Sequence, residues 1–162
     1  MSQGRRRLEP GPYDLLVGAS SEDLRLRTIL TLVGEPGTPH PVLEHGLNAL
    51  GFDEQSGIGV VDRTRTTGDA VTSSPGRPGE LLHVDCDFGT GVTRVRVEVA
   101  DEGTVELSLD GGPVLAVVTR DTPTSGPYDY TMLTAPATAA GVHDLRLGLH
   151  GPLRLARVDL TR

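Results

Sequence analysis

Tryptophan is absent from these 162 residues, and the aromatics that remain are three Tyr and two Phe. With 21 Gly and 12 Pro against so few rings, the chain reads as short strands joined by many turns. Cysteine occurs once, which excludes an internal disulfide. Cys86 alternates with apolar neighbours and is expected to be buried and inert. Positive charge is scarce: 15 basic residues face 22 acidic ones, for a net charge of −7. Nucleic acid and anionic membrane are therefore excluded as partners, because phosphate binding needs clustered cations. The run Arg5-Arg6-Arg7 is the exception, and it reads as a solvated terminus because nothing basic or aromatic follows it. No apolar run reaches membrane-spanning length. The N-terminus shows no apolar signal-peptide core. The expectation is a cytoplasmic protein as the chain stands, or a fragment of a longer chain.

Enzyme signatures are missing as well. The chain has no Gly-rich phosphate loop, no Gly-x-Ser-x-Gly, no His-Glu-x-x-His and no cysteine pair. Two carboxylates at a defined separation could support glycoside hydrolysis. Asp85 and Asp87 share one strand face, and His83 joins them in a pattern a metal could use. Alternating polar residues are nevertheless what any wetted strand shows, so these three are expected to face water. Asp121, Asp129 and Asp144 fall in or beside loops, where Asp is ordinary turn chemistry. His40 and His45, with Glu44 between them, lie in a Pro- and Gly-rich segment where no regular element fixes a metal geometry. No metal, cofactor or catalytic residue is expected.

What the chain does have is alternation. In residues 79–110, Leu82, Val84, Cys86 and Phe88 recur at period two, then Val95, Val97 and Val99, then Val105, Leu107 and Leu109. Gly-Thr-Gly and Asp-Glu-Gly separate the three sets. The pattern predicts an antiparallel meander with one buried face. Upstream, residues 8–34 read as two strands around a Gly-Ala-Ser-Ser turn, the second bulged near Arg27 and Thr28. An isolated hairpin is marginally stable in water, so it must pack on something. Residues 35–46 read as a linker, and residues 47–162 as one sandwich of short strands with almost no helix.

Two resemblances give these elements names. The run GELLHVDCDFGTGVTRVRVEVA, then TVELSLDGGPVLAVV, then TAPATAAGVHDLRLGLHGPLRL, resembles the family-6 carbohydrate-binding modules from about Leu47 onward. That resemblance implies an all-β antiparallel sandwich of jelly-roll, galactose-binding-like form, and binding of a β-glycan polysaccharide or oligosaccharide. Residues 9–26, EPGPYDLLVGASSEDLRL, resemble the end of the fibronectin-III-like domain that closes family-3 glycoside hydrolases, the β-glucosidase and β-xylosidase group. That implies a glycoside hydrolase catalytic domain as a partner.

The family's binding cleft lies among loops at one end of the sandwich, where aromatic rings stack on sugar faces. Carried over residue by residue, Tyr128 matches one aromatic and Tyr130 an inner one, with TMLTAP fixing the register. The other cleft aromatic has no counterpart in residues 72–78, the strand Trp is Leu81, and a C-terminal Asn is replaced at Arg154. The ligand-binding set implied is Tyr128, Arg120, Asp121 and Arg154. Tyr128 suits either a ligand contact or packing, and Tyr130 suits packing. The family's structural calcium acids fall on Asn48, Leu50 and Ala156, which cannot supply the charge Ca²⁺ needs. Three readings follow: a glycan-binding accessory module, a degenerate structural β-sandwich without sugar binding, and, behind both, a small enzyme.

Overall fold

A computed structural model describes residues 11–33 and 38–162. The chain divides into two compact units, residues 1–38 and 39–162. In the first, β1 (Gly11–Gly18) pairs antiparallel with β2 (Leu24–Leu32). The irregularity expected near Arg27 and Thr28 falls elsewhere. Those two residues pair in register with Leu16 and Leu15, and the register shifts between Val17 and Gly18, where the turn begins. Tyr13, Leu15 and Val17 lie opposite Leu30, Thr28 and Leu26, which gathers the apolar residues on one face. Leu15, Val17 and Leu26 are exposed.

The second unit is a two-layer sandwich. Its elements are β3 (His40–Pro41), α1 (Val42–His45), β4 (Leu47–Asn48), β5 (Glu54–Ser56), β6 (Ile58–Asp62), β7 (Asp69–Ser73) and β8 (Gly79–Asp87), followed by β9 (Val92–Ala100), β10 (Gly103–Leu109), β11 (Val114–Arg120), β12 (Thr131–Ala139), β13 (Val142–His150) and β14 (Arg154–Thr161). One sheet runs β11-β10-β13-β8-β3 with β5 added on β8. The other runs β12-β9-β14-β7-β6 with β4 added on β14. All pairings are antiparallel except the short one between β3 and β8. The all-β sandwich expected from the turn-rich composition is therefore the fold. Residues 40–45, inside the segment read as a linker, carry β3 and α1, and Val42 is 1% exposed in the core.

The central segment is not a meander. β8 and β10 both flank β13 in one sheet, while β9 lies between β12 and β14 in the other. Alternation reports which face of a strand is buried, not which strand lies beside it. Two consecutive strands with inward apolar faces satisfy the pattern equally well when the chain crosses from one layer to the other, as in a jelly roll.

The phase of β8 also differs from expectation. Leu81 and His83 are buried, then Cys86 and Phe88, while Leu82 and Val84 are only partly covered. Asp85 sits at φ 50°, and the pairing with β13 slips there, His143 facing Cys86 and Leu145 facing His83. This is a β-bulge. The extra residue reverses the inside-outside phase, so one alternation holds before Asp85 and the opposite one after it. His83 consequently does not join Asp85 and Asp87 on a wetted face.

His83 is 2% exposed. Its Nδ1 lies 3.2 Å from the Gly51 carbonyl, and its buried Nε2 has no hydrogen-bond partner. Burial pushes its pKa below the ordinary value, with the Gly51 hydrogen bond and the Asp53 charge acting against it. The unfolded chain therefore takes up this proton more readily than the folded one, and stability is lost as pH falls below about 6.5. His143 acts in the opposite sense, because its Nδ1 contact to Asp110 at 2.6 Å raises its pKa. The readout is thus the difference between proteins: His83→Gln should lose less stability than the parent between about pH 7 and pH 5.5. Equal losses in urea melts would contradict the assignment.

Candidate binding cleft

One end of the sandwich gathers the close of β7, the β9–β10 turn, the β13–β14 turn and the loop between β11 and β12. The cleft there measures about 590 Å³, within the size range of small-ligand sites. Residues 72–78, Asp101, residues 150–152 and Arg154 line it. Its walls are fastened by hydroxyls. Thr72 Oγ1 donates to the Leu153 carbonyl at 2.9 Å, and Ser73 Oγ donates to the Gly151 carbonyl at 2.6 Å. Residues 72–74 are thereby tied to the turn that delivers Arg154.

Arg154 opens β14, where it pairs with Ala100 on one side and Thr72 on the other. Its Nε stands 3.7 Å from Asp101 Oδ2. Asp101 occupies the left-handed region, at φ 63°, a conformation that Asp tolerates better than most residues. Its amide donates to Thr124 Oγ1 at 3.1 Å, and the Thr124 hydroxyl donates to the Gly126 carbonyl at 2.8 Å. Asp101 is thus a pivot. It faces Arg154 with its side chain and holds the loop that carries Tyr128 with its backbone.

Within that loop the Asp129 amide donates to the Gly126 carbonyl at 3.1 Å, so Tyr128 sits in a turn and the strand begins only at Thr131. Tyr128 is exposed, and the Arg65 guanidinium lies 5.8 Å from its ring centroid, within cation–π range. Tyr130 is half-buried. Burial raises its pKa, while the nearby Arg154 and Arg63 act against that shift. Arg63 is itself paired with Glu98 at 2.5 Å.

The four residues implied as ligand contacts are placed as follows. Arg154 lines the cleft. Tyr128 is in the loop held by Asp101. Arg120 ends β11 opposite Gly103, with its Nε buried and unpartnered, and Asp121 follows it exposed. Of these, only Arg154 is among the residues that line the cleft. Asp101, Arg77 and His150 line it without having been singled out. Asp101 lay in a segment that reads as a simple turn, and the Pro- and Gly-rich composition of residues 75–78 signals a loop without saying which way Arg77 points.

A second hollow, of about 450 Å³, lies on the outer surface of the β11-β10-β13-β8 sheet. Ser56, Glu80, Glu106, Ser108 and Arg146 are among its lining residues, and Arg146 and Glu80 form an ion pair across it. Its lining, like that of the first, includes no Tyr, Phe or Trp.

The profile of the family described as carbohydrate binding module (family 6) matches residues 48–162. The chain belongs to this family. As a family 6 module it shares its fold with a module from Clostridium stercorarium solved in complex with cellobiose, at 20% identity and a TM-score of 0.68, covering 78% of this chain and 99% of that one. A β-1,3-glucan-binding module from Bacillus halodurans superposes with a TM-score of 0.66 at 17% identity, covering 74% and 97%. A family 43 arabinoxylan arabinofuranohydrolase from Bacillus subtilis, in complex with cellotetraose, gives a TM-score of 0.63 at 17% identity, covering 91% of this chain and 33% of the enzyme. No curated protein matches the chain.

Family 6 membership implies a calcium ion, which can be tested against the residues present. Asn48, Leu50 and Ala156 do come together. Asn48 pairs with Arg157, its Oδ1 accepts from the Leu50 amide at 2.9 Å, and the Ala49 amide donates to the Ala156 carbonyl at 3.1 Å. None of the three is anionic, and the Arg157 guanidinium stands beside them, donating to the His45 carbonyl at 2.5 Å and to Asp159 Oδ1 at 2.6 Å. Among the described residues no cluster of three or more His, Cys, Asp or Glu side chains is placed to hold a metal. These residues do not fit Ca²⁺, which requires six or more oxygen ligands with negative charge among them. The melting temperature is expected to be the same in millimolar Ca²⁺ as in chelator, whereas a native-state ligand would raise it. A clear upward shift reversed by chelation would contradict this.

Proposed function

We propose that this chain is a non-catalytic module that binds a β-glycan in the cleft between residues 72–78 and residues 150–154, as a C-terminal accessory region of a family-3-like glycoside hydrolase. The observation that carries the reading is the family match over residues 48–162 together with an open cleft at the loop end. Its job would be tethering: holding a catalytic domain near its polymer raises the effective concentration of substrate. The hairpin of β1 and β2 supports the enzyme context. It has the strand-turn-strand form of the resembled fibronectin-III-like segment, and its exposed apolar residues suit a place inside a larger sandwich. The grouping of Arg154, Asp101 and the Tyr128 loop supports Tyr128, Arg120, Asp121 and Arg154 as the residues nearest a bound sugar.

Tyr128 supplies one stacking ring where relatives of this family use two, and Arg65 already covers part of it. An aromatic contact contributes about 0.5–1.5 kcal/mol beyond burial, and each 1.4 kcal/mol is about tenfold in affinity. Binding should therefore be several-fold to about tenfold weaker than in a two-aromatic module. Calorimetric titration with xylo-, cello- and laminari-oligosaccharides, beside Tyr128→Ala, tests the reading. Weak saturable binding lost in Tyr128→Ala is expected. Binding that survives Tyr128→Ala would take Tyr128 out of the contact set, and would move the site to the second hollow on the outer sheet surface if Arg154→Gln also left it intact. No binding to any glycan would favour the alternative, a degenerate structural β-sandwich.

A further inference from the structure

The polar groups of the cleft divide into those already engaged and those still free. The hydroxyl hydrogens of Thr72 and Ser73 are used within the wall, on the carbonyls of Leu153 and Gly151. The Arg77 backbone closes a turn onto the Ser74 carbonyl at 3.1 Å, but its guanidinium has no partner among the described residues. The Arg154–Asp101 contact, Nε to Oδ2, is 3.7 Å, beyond hydrogen-bond length, and Arg154 also stands by the Tyr130 hydroxyl. Two guanidiniums therefore face one carboxylate, in a chain whose net charge is −7. No Tyr, Phe or Trp ring lines the cleft, whose one ring is the His150 imidazole, so stacking on a large aromatic does not decide what enters it.

Donor and acceptor count then does. A guanidinium offers N–H donors in a planar fork and accepts nothing. Neutral sugar hydroxyls both give and take, and are best matched by amides that do the same. A carboxylate only accepts, through two coplanar oxygens that fit the fork in a bidentate, charge-assisted pair. All 15 Lys-plus-Arg positions of the chain are arginine, so apart from the His150 imidazole every cationic side chain lining the cleft has this geometry.

We propose that the cleft selects a β-glycan carrying uronic acids, with Arg77 and Arg154 clasping the sugar carboxylate. The proposal rests on the carbohydrate-binding reading above and adds the charge of the ligand. Asp101 then has a second part to play, holding Arg154 in place loosely enough to be displaced by a sugar carboxylate.

The test compares β-1,4-linked tetraglucuronate with cellotetraose, which share linkage and ring stereochemistry and differ in bearing a carboxylate or a hydroxymethyl group. Titration of the full chain is expected to show tetraglucuronate bound about tenfold more tightly at low salt, with the preference shrinking as salt is raised. Arg77→Gln and Arg154→Gln should each bring the two affinities within a few-fold of one another. If Arg154→Gln fails to fold, Arg77→Gln still decides, because Arg77 is exposed on its loop. Cellotetraose bound as tightly as tetraglucuronate, or more so, would overturn the uronic-acid proposal and leave the carbohydrate reading standing. Failure of both ligands to bind would overturn the uronic-acid proposal, and the carbohydrate reading falls with it if xylo- and laminari-oligosaccharides also fail to bind. A preference for tetraglucuronate that survives both substitutions would place the carboxylate elsewhere and overturn the role given to this cleft.

Discussion

Phe88→Ala is expected to lower folding stability by about 3–5 kcal/mol, the usual cost of truncating a buried phenylalanine. Phe88 is fully buried and heads the core by volume. Its position is fixed from two directions. Its amide donates to the Gly141 carbonyl at 2.8 Å, and its ring meets that of His143 at 6.1 Å between centroids. It lies at the crossing from one layer to the other, just before the turn into β9, so the space left by its removal borders both sheets. The core cluster it belongs to is mostly Val and Leu held in regular strands, which cannot collapse far into a void. Urea denaturation of Phe88→Ala and Phe88→Leu gives the answer. The leucine variant should recover much of the loss, and an alanine variant within about 1 kcal/mol of the parent would show that this part of the core is loosely packed.

Gly103→Ala is expected to cost about 2–4 kcal/mol, combining an unfavourable backbone conformation with overpacking. Gly103 has φ 146°. A Cβ there would stand 2.3 Å from the His150 carbonyl oxygen and 2.7 Å from the Leu153 Cβ. Neither neighbour can retreat freely, since His150 pairs with Thr104 and Leu153 is in the core. The substitution also pushes on the turn that lines the cleft, residues 150–152. Ligand affinity should therefore fall together with stability. A variant within about 0.5 kcal/mol of the parent would mean that the β9–β10 and β13–β14 turns move more easily than their packing suggests.

Much of this architecture was legible in the sequence, for an identifiable reason. Val95, Val97 and Val99 alternate without interruption and are all fully buried, as are Leu145, Leu147 and Leu149. Period two is a local property of strands, and the sequence displays it directly. Asp85 shows the limit. A single bulged residue exchanges the faces on either side of it, and Asp is too common in strand edges and turns to announce a bulge. The partners of β8, β9 and β10 were hidden for a different reason: strand neighbours in a jelly roll are set by the whole chain's path, not by the short turns between consecutive strands. Val42 was obscured by its neighbours, since a single apolar residue amid Pro, His and Gly gives no periodicity to read.

The cleft divides along the same line. Arg154 and Tyr128 stand at positions that a family resemblance could point to, because strand order and register carry them. The contacts that organise the cleft could not be read that way. Asp101 reaches Thr124 across 23 positions, and Arg65 reaches Tyr128 from a different loop. These contacts depend on loop shape, which composition does not specify. The same applies to the Arg77 guanidinium, unpartnered among the described residues, which becomes informative only once the hydroxyls around it are seen to be occupied.

The central claim is that the loop end of the sandwich, and no other surface, receives a glycan. Amide chemical shifts of the ¹⁵N-labelled protein, followed while xylo- and cello-oligosaccharides are added, address it most directly. Saturable changes confined to residues 72–78, Asp101, residues 126–130 and residues 150–154 are the expected result. No change at saturating sugar, or changes centred on Glu80, Glu106 and Arg146, would contradict it.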